Sequence, residues 1–389
     1  MLDDDGVADG PVSRSGIEYL RTDSRGLISV ISRGLQDTIG DARTVLTGSP
    51  VDVIVHADMP RIMKDDALRR RRMDAVSACY VCLGTSRSRP AWYHALGLPL
   101  MDGRAYLMTP AMSDLWQVLG PSYATMRKHQ SATPYPDIDR LHVDDMFRKA
   151  GFGGHAQFQT RITVAEAASR NPTFRRRLVP MDALSARLTA FSATRTDLLG
   201  LLSTLFIVPT NMRILASRLE PSGGPLGAIA ESYKRVAGEM TARLGAGDVG
   251  TGPERLVDVL NAALFHEACA SLIAQAMQGF RRNGVAGGGE TSGELARLSD
   301  HLTDAQAAQS RTMAELVSDL SRLRRHAEAL QRLMTGLDQV RILGEVESRR
   351  RRDEDTGLPA IMSQLYGLHG GIRERLATLA GLGVRLHAT

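Results

Sequence analysis

Eight apolar positions, Met313, Leu316, Leu320, Leu323, Ala327, Leu330, Met334 and Leu337, alternate by three and four without a miss. Nothing else in the 389 residues restricts the fold so strongly. The spacing puts the whole set on one stripe of a helix, and so long a stripe is expected to be buried against other helices, in an ordinary bundle core or by knobs-into-holes packing. An earlier set, Met181, Leu184, Leu188, Phe191, Leu198, Leu202 and Leu205, keeps the same alternation around Arg195 at one intervening seam position. From residue 114 onward helices therefore dominate, with long ones near 170–220, 226–283, 292–348 and 358–386 and connecting ones near 114–130 and 143–150. The Gly-rich stretch 245–252 interrupts one arm and 284–289 links two others. Composition agrees: Arg supplies 44 of the 48 basic residues and aromatics only 5%, which suits long helices with charged outer faces. A net charge of +5, with both signs interspersed, gives no footprint for nucleic acid.

The first quarter reads differently. Segments 17–20 and 27–31 have strand character and flank Asp23-Ser24-Arg25-Gly26, a turn sequence. Short helices are expected at 35–46 and 63–73, the latter with the Arg69–Arg72 run on a solvated face. Strands follow at 78–83, 92–98 and 104–108, the last two joined by a tight turn at 101–104. Two strands, short helices, then three strands build a five-stranded antiparallel sheet with helices on one face. Residues 1–15, with four Asp and no basic residue in the first ten, read as a disordered acidic leader rather than a signal or transit peptide. The most apolar run, 198–208, is short of the roughly 20 residues that span a bilayer, and three cysteines suit a reducing compartment. A soluble cytoplasmic protein with no membrane span is expected.

One segment sharpens this order of elements. Val53-Ile54-Val55-His56-Ala57-Asp58-Met59-Pro60 resembles the His-Pro-Asp-Met-Pro element of aerotaxis-receptor-type PAS domains, and residues 22–28 resemble their opening hairpin. The resemblance covers about 90 residues. It implies a sensor domain able to hold FAD or haem, and nominates His56, Asp58 and Trp92 as cofactor contacts. The family's Asn and aromatic after the second strand are replaced by Ser32-Arg33-Gly34-Leu35.

The second resemblance lies between the seams. Residues 211–237, running from Asn211-Met212-Arg213-Ile214 through Pro221-Ser222-Gly223-Gly224-Pro225 to Ala237, resemble the hairpin tip of methyl-accepting chemotaxis receptors without a gap. Asn211, Ile214, Ala216, Arg218, Gly223, Ala230 and Ala237 coincide with the family pattern. A Pro-Gly cluster must end one helix and begin the next, and two apolar seams leaving it pack on each other. The resemblance implies a chemotaxis histidine kinase and its coupling protein as partners, with Asn211, Arg213, Arg218, Glu220, Gly223, Gly224 and Leu226 forming the signalling tip. Leu215 and Ser232 stand where the family has its two tip glutamates, which alters the docking surface. The chain has no adjacent Glu/Gln pair, so adaptation by glutamate methylation is expected to be absent. Gln339-Val340-Arg341-Ile342-Leu343 echoes residues 211–215, so a degenerate repeat is one reading of the last hundred residues.

The expected organisation is a leader (1–15), a PAS-like sensor (16–112), a helical connector (113–170), a chemoreceptor-like hairpin (171–284) and a second hairpin (285–389). The fold class is an α+β sheet domain followed by a mainly α, long antiparallel hairpin or coiled-coil bundle. Two functions stay open: chemotaxis-type signal transduction, or a non-signalling scaffold that binds itself or other receptors. Catalysis is not expected. Cys79 and Cys82 lie on opposite faces of a strand with no second pair to complete a zinc site, His266-Glu267 lacks a second His, and no phosphate loop or nucleophile elbow occurs.

Overall fold

The computed structural model describes residues 16–39, 46–57, 59–61, 63–64, 75–84, 91–115, 120, 123–127, 140–149, 151–219, 224–245, 253–283, 291–350 and 357–384. The leader 1–15, Asp58, Glu220, Gly223, the Arg69–Arg72 run and most of the inter-helix stretches lie outside them. The expected sheet forms from β1 (Glu18–Asp23), β2 (Ile28–Ile31), β3 (Ser77–Leu83), β4 (Ala91–Leu100) and β5 (Gly103–Pro110), all pairs antiparallel, in the order β2-β1-β5-β4-β3. Helix α1 (Arg33–Ile39) and a 3-10 turn (Val51–Ile54) stand between β2 and β3.

Local chemistry accounts for the turns. Asp23 Oδ1 accepts from the backbone N–H of Arg25 and Leu27 at 2.9 Å each, and Gly26 takes the left-handed φ of 81° that the turn requires. At the β4–β5 turn, a Cβ on Gly103 would lie 1.9 Å from the Thr22 carbonyl oxygen, so only glycine lets β5 pair this closely with β1.

The helical region comprises α2 (Arg140–Lys149), α3 (His155–Arg170), α4 (Pro172–Leu219), α5 (Pro225–Gly245), α6 (Pro253–Asn283), α7 (Thr291–Arg350) and α8 (Leu358–Val384). Helix α3 starts at His155, inside the stretch expected to be a helical connector. The early part, with Thr160, Ile162, Thr163 and Val164, is poor in helix formers, and burial of Phe158, Ile162 and Thr163 overrides that weakness. Asn171 separates α3 from α4: its Oδ1 accepts from the N–H of Thr173 and Phe174, with Pro172 at the first helical position.

Packing divides the chain into two units, residues 1–178 with 261–311 and residues 179–260 with 312–389. In the sheet unit one core unites the strands with Phe147, Phe158 and Phe174 and with Ala268, Leu272, Ile273, Phe280 and Leu298. The second half of α6 and the start of α7 thus belong with the sheet. In the helical unit α4, α5, α7 and α8 share one core that includes Leu198, Leu202, Leu205, Leu226, Tyr233, Leu330, Leu337, Leu365 and Ile372. Both apolar seams face inward there in the main, although Met181, Met313, Leu320 and Leu323 are only half-buried. Contacts run in opposite order along α7 and α8: Asp338 meets His369 and Arg373, Arg341 meets Tyr366, and Gly344 lies beside Met362.

The estimate of apolar length needs correction. Beyond the run at 198–208, α4 (Pro172–Arg218) and α6 (Arg255–Arg282) are each long and apolar enough to cross a membrane by length and composition alone. Some of those apolar residues, Leu198, Leu202 and Leu205 in α4 and Ala268, Leu272 and Ile273 in α6, sit in the two cores.

Candidate functional site

Strand pairing sets Tyr80 of β3 directly opposite His94 of β4, and His94 opposite Thr109 of β5. Residues opposed in this way point to the same face. Helix α3 covers that face and inserts Glu166, which is fully buried.

The Glu166 carboxylate is enclosed by donors. Its Oε1 accepts from the Tyr80 hydroxyl at 2.7 Å, the Ser113 hydroxyl at 2.8 Å and the Ser113 N–H at 3.1 Å; its Oε2 accepts from the Met112 N–H at 3.1 Å. Arg170, one helical turn on, forms an ion pair with Oε2 and also donates to the Pro110 carbonyl. Burial alone would raise this carboxyl's pKa, yet its coupling to the His94 ring, the Arg170 charge and the hydrogen bonds from Arg170 and Tyr80 hold it below the usual carboxylate range. Burial and the same carboxylate push the Tyr80 phenol up. One side chain therefore ties α3 to β3 and to the exit of β5.

His94 is neutral in this setting. Burial drives its pKa down to about 4, Glu166 opposes the shift and Arg170 adds to it. Its tautomer follows from Thr163. The Thr163 hydroxyl gives its one proton to the Gln159 carbonyl at 2.7 Å, so its oxygen accepts from His94 Nε2–H at 3.2 Å. The unprotonated Nδ1 then faces the Thr109 hydroxyl at 3.5 Å.

A second buried carboxylate lies at the start of α7. Glu294 accepts from the Tyr19 hydroxyl of β1, pairs with Arg21 at 2.9 Å and with Arg297 at 3.0 Å, and is 2% exposed. The Tyr19 ring also packs edge-on to Phe280 of α6, 5.6 Å between centroids. Together Glu166 and Glu294 bind two helical segments, α3 and α7, to the sheet by directional bonds. The spacing Glu166/Arg170, four apart, and Glu294/Arg297, three apart, is the one sequence signal that could have nominated either.

The residues nominated from sequence fall elsewhere. His56 is half-buried; its N–H donates to the Cys82 carbonyl at 2.9 Å and its carbonyl accepts from Met59, so it anchors its loop to the sheet. Asp58 lies outside the described residues. Trp92, opposite Cys82 on β4, packs edge-on against Tyr123 at 5.6 Å. Cys79 and Cys82 are buried. Trp92 and Tyr123 pack on each other, the described core residues of α1 and of loop 46–63 are apolar, and the sheet's buried imidazole, His94, is already bonded beneath α3. In the tip, Asn211, Arg213 and Arg218 are exposed on the last turns of α4, Gly224 is half-buried and Leu226 is buried in the helical core. Glu220 and Gly223 lie outside the described residues.

Compared with known proteins, the chain matches no family model, and no curated protein sequence matches it.

Proposed function

We propose that the chain is a chemotaxis-type signal transduction protein, in which a PAS-like sheet domain controls a degenerate chemoreceptor-like bundle of two helical hairpins. The observation that carries this reading is the core shared by α4, α5, α7 and α8. The helices are joined in pairs through residues 220–224 and 351–357, and the opposite contact order along α7 and α8 is what an antiparallel hairpin requires. Four such helices from one chain supply what receptor dimers assemble from two subunits. Support for the sensor half is the strand and helix order, which matches the PAS expectation, and the two carboxylate clamps that join sheet to helices. A change at the sheet would shift a helix only by breaking those bonds, and such a two-state element is what a population shift needs. On this reading the protein works in the cytoplasm and is not an enzyme.

The second reading, a scaffold without signalling, is favoured by one observation: Leu215 and Ser232, half-buried on α4 and α5, replace the family's tip glutamates. Co-sedimentation of the purified chain with a chemotaxis histidine kinase and its coupling protein separates the two. Assembly that is lost in the Arg213→Glu/Arg218→Glu double variant, both sites being exposed, supports signalling. A folded wild-type chain that never assembles leaves the scaffold.

A further inference from the structure

The core of the helical unit is apolar with few exceptions, and one of them joins three helices. His369 of α8 is 2% exposed. Its Nδ1 lies 3.1 Å from Asp338 Oδ1 of α7, and Asp338 Oδ2 accepts from Arg373 of α8. Arg341 of α7 approaches the same carboxylate at 4.0 Å. On the other side the imidazole lies against the fully buried Tyr233 of α5, 5.6 Å between ring centroids. The fourth helix, α4, meets this stretch of α8 through Leu201, beside Gly371. His369 Nε2 and the Tyr233 hydroxyl are both buried with no hydrogen-bond partner among the described residues.

This geometry suits a neutral ring and no other. Asp338, held ionised by Arg373, accepts from Nδ1–H, so Nε2 keeps its lone pair within the helical core. A proton on Nε2 would create a charged donor with no acceptor among the described residues, beside two arginines. Such a group is expensive to bury and is relieved by reaching water. We propose that His369 is a proton-sensitive latch: uptake of one proton in mild acid releases α8 from α7 and α5, and loosens the packing of the helical unit.

The direction is consistent with the surroundings. Burial lowers the imidazole's pKa, the Asp338 bond and charge oppose that, Arg341 and Arg373 reinforce it, and the net shift is downward. A released His titrates near 6.5. The latch is therefore closed above about pH 6.5, and its contribution is lost as the pH falls below that value toward the folded pKa.

Hydrogen exchange of the full chain at pH 7.5, 6.5 and 5.5, corrected for intrinsic rates, tests the latch. Peptides covering 362–376 and 229–240 should lose protection by up to about ten-fold from pH 7.5 to 5.5. His369→Gln, which keeps a donor toward Asp338 but cannot charge, should abolish that loss, whereas His326→Gln at an exposed site of α7 should retain it. Protection that does not change with pH in the wild type, or that falls equally in His369→Gln, overturns the proposal. Should His369→Gln fail to fold, the imidazole carbon NMR shift of His369 in the wild-type chain decides: titration below 6.5 supports the latch, and titration at or above 6.5 overturns it.

Discussion

In the sheet unit the buried carboxylates Glu166 and Glu294 accept hydrogen bonds from several elements at once, whereas in the helical unit the buried His369 has one ring nitrogen bonded and the other not. Buried polar residues of the sheet unit include Thr22, Ser77, His94, Arg104, Thr109, Thr163, Glu166 and Glu294. Those of the helical unit are Asp319, Ser348 and His369 among the described residues. A buried carboxylate with donors on both oxygens, as Glu166 has, favours one geometry, because each bond is directional and each lost partner exposes a buried charge. Apolar seams between helices lack that directionality, and neighbouring arrangements differ little in energy. The contrast suits a rigid domain and a more yielding one, and mutations can break or sharpen it.

The largest expected effect is Glu166→Ala. Removing one partner of a buried ion pair typically costs 3–5 kcal/mol, because Arg170 is left without its counter-charge. Trp92 lies in the sheet unit and residues 179–260 and 312–389 contain no tryptophan, so urea unfolding followed by tryptophan fluorescence should shift while the helical unit responds far less. Equal loss in both units would erase the contrast. Leu202→Ala, at a fully buried seam position, should cost about 2–5 kcal/mol in the helical unit and leave the tryptophan transition in place. Hydrogen exchange of α4 peptides reads that loss.

A pH series probes the sheet unit itself. The folded His94 resists protonation down to about pH 4, while the unfolded chain takes up that proton below about 6.5. Stability should therefore fall as the pH drops through that window, by up to about 1.4 kcal/mol per pH unit, and Glu166, whose folded pKa is lowered, adds loss at the acid end. His94→Gln should flatten the slope in the tryptophan signal. The smallest effects are local. Gly103→Ala should cost about 1–3 kcal/mol by forcing β5 away from Thr22, and Asp23→Ala about 1 kcal/mol by uncapping the β1–β2 turn. Both should appear in thermal melts of the sheet unit alone.

Much of the fold was legible from residue patterns, and most of the site was not. The Asp23–Gly26 turn, the five strands and the starts of α4, α5 and α8 follow from short-range chemistry: Asx bonding, alternation, Asn171 with Pro172, and Gly or Pro at the breaks. Glu166 escaped because nothing near it in sequence reveals Tyr80, 86 positions away, or the N–H groups of Met112 and Ser113. His56 and Trp92 were nominated by motif and by residue type, and the structure uses the one to anchor a loop and the other to pack against Tyr123.

By itself the sequence determined which segments become strands and helices and which stripe of each helix is apolar, because period and capping are local properties of the chain. Only the tertiary structure decided that residues 261–311 pack with the sheet and that β1 lies between β2 and β5. It also decided that Glu166, Glu294 and His369 are buried where they are. An apolar stripe specifies that it must be covered, and many partners can cover it. The choice among them rests on shape and on buried polar groups finding one another across long stretches of chain, and no local pattern encodes that.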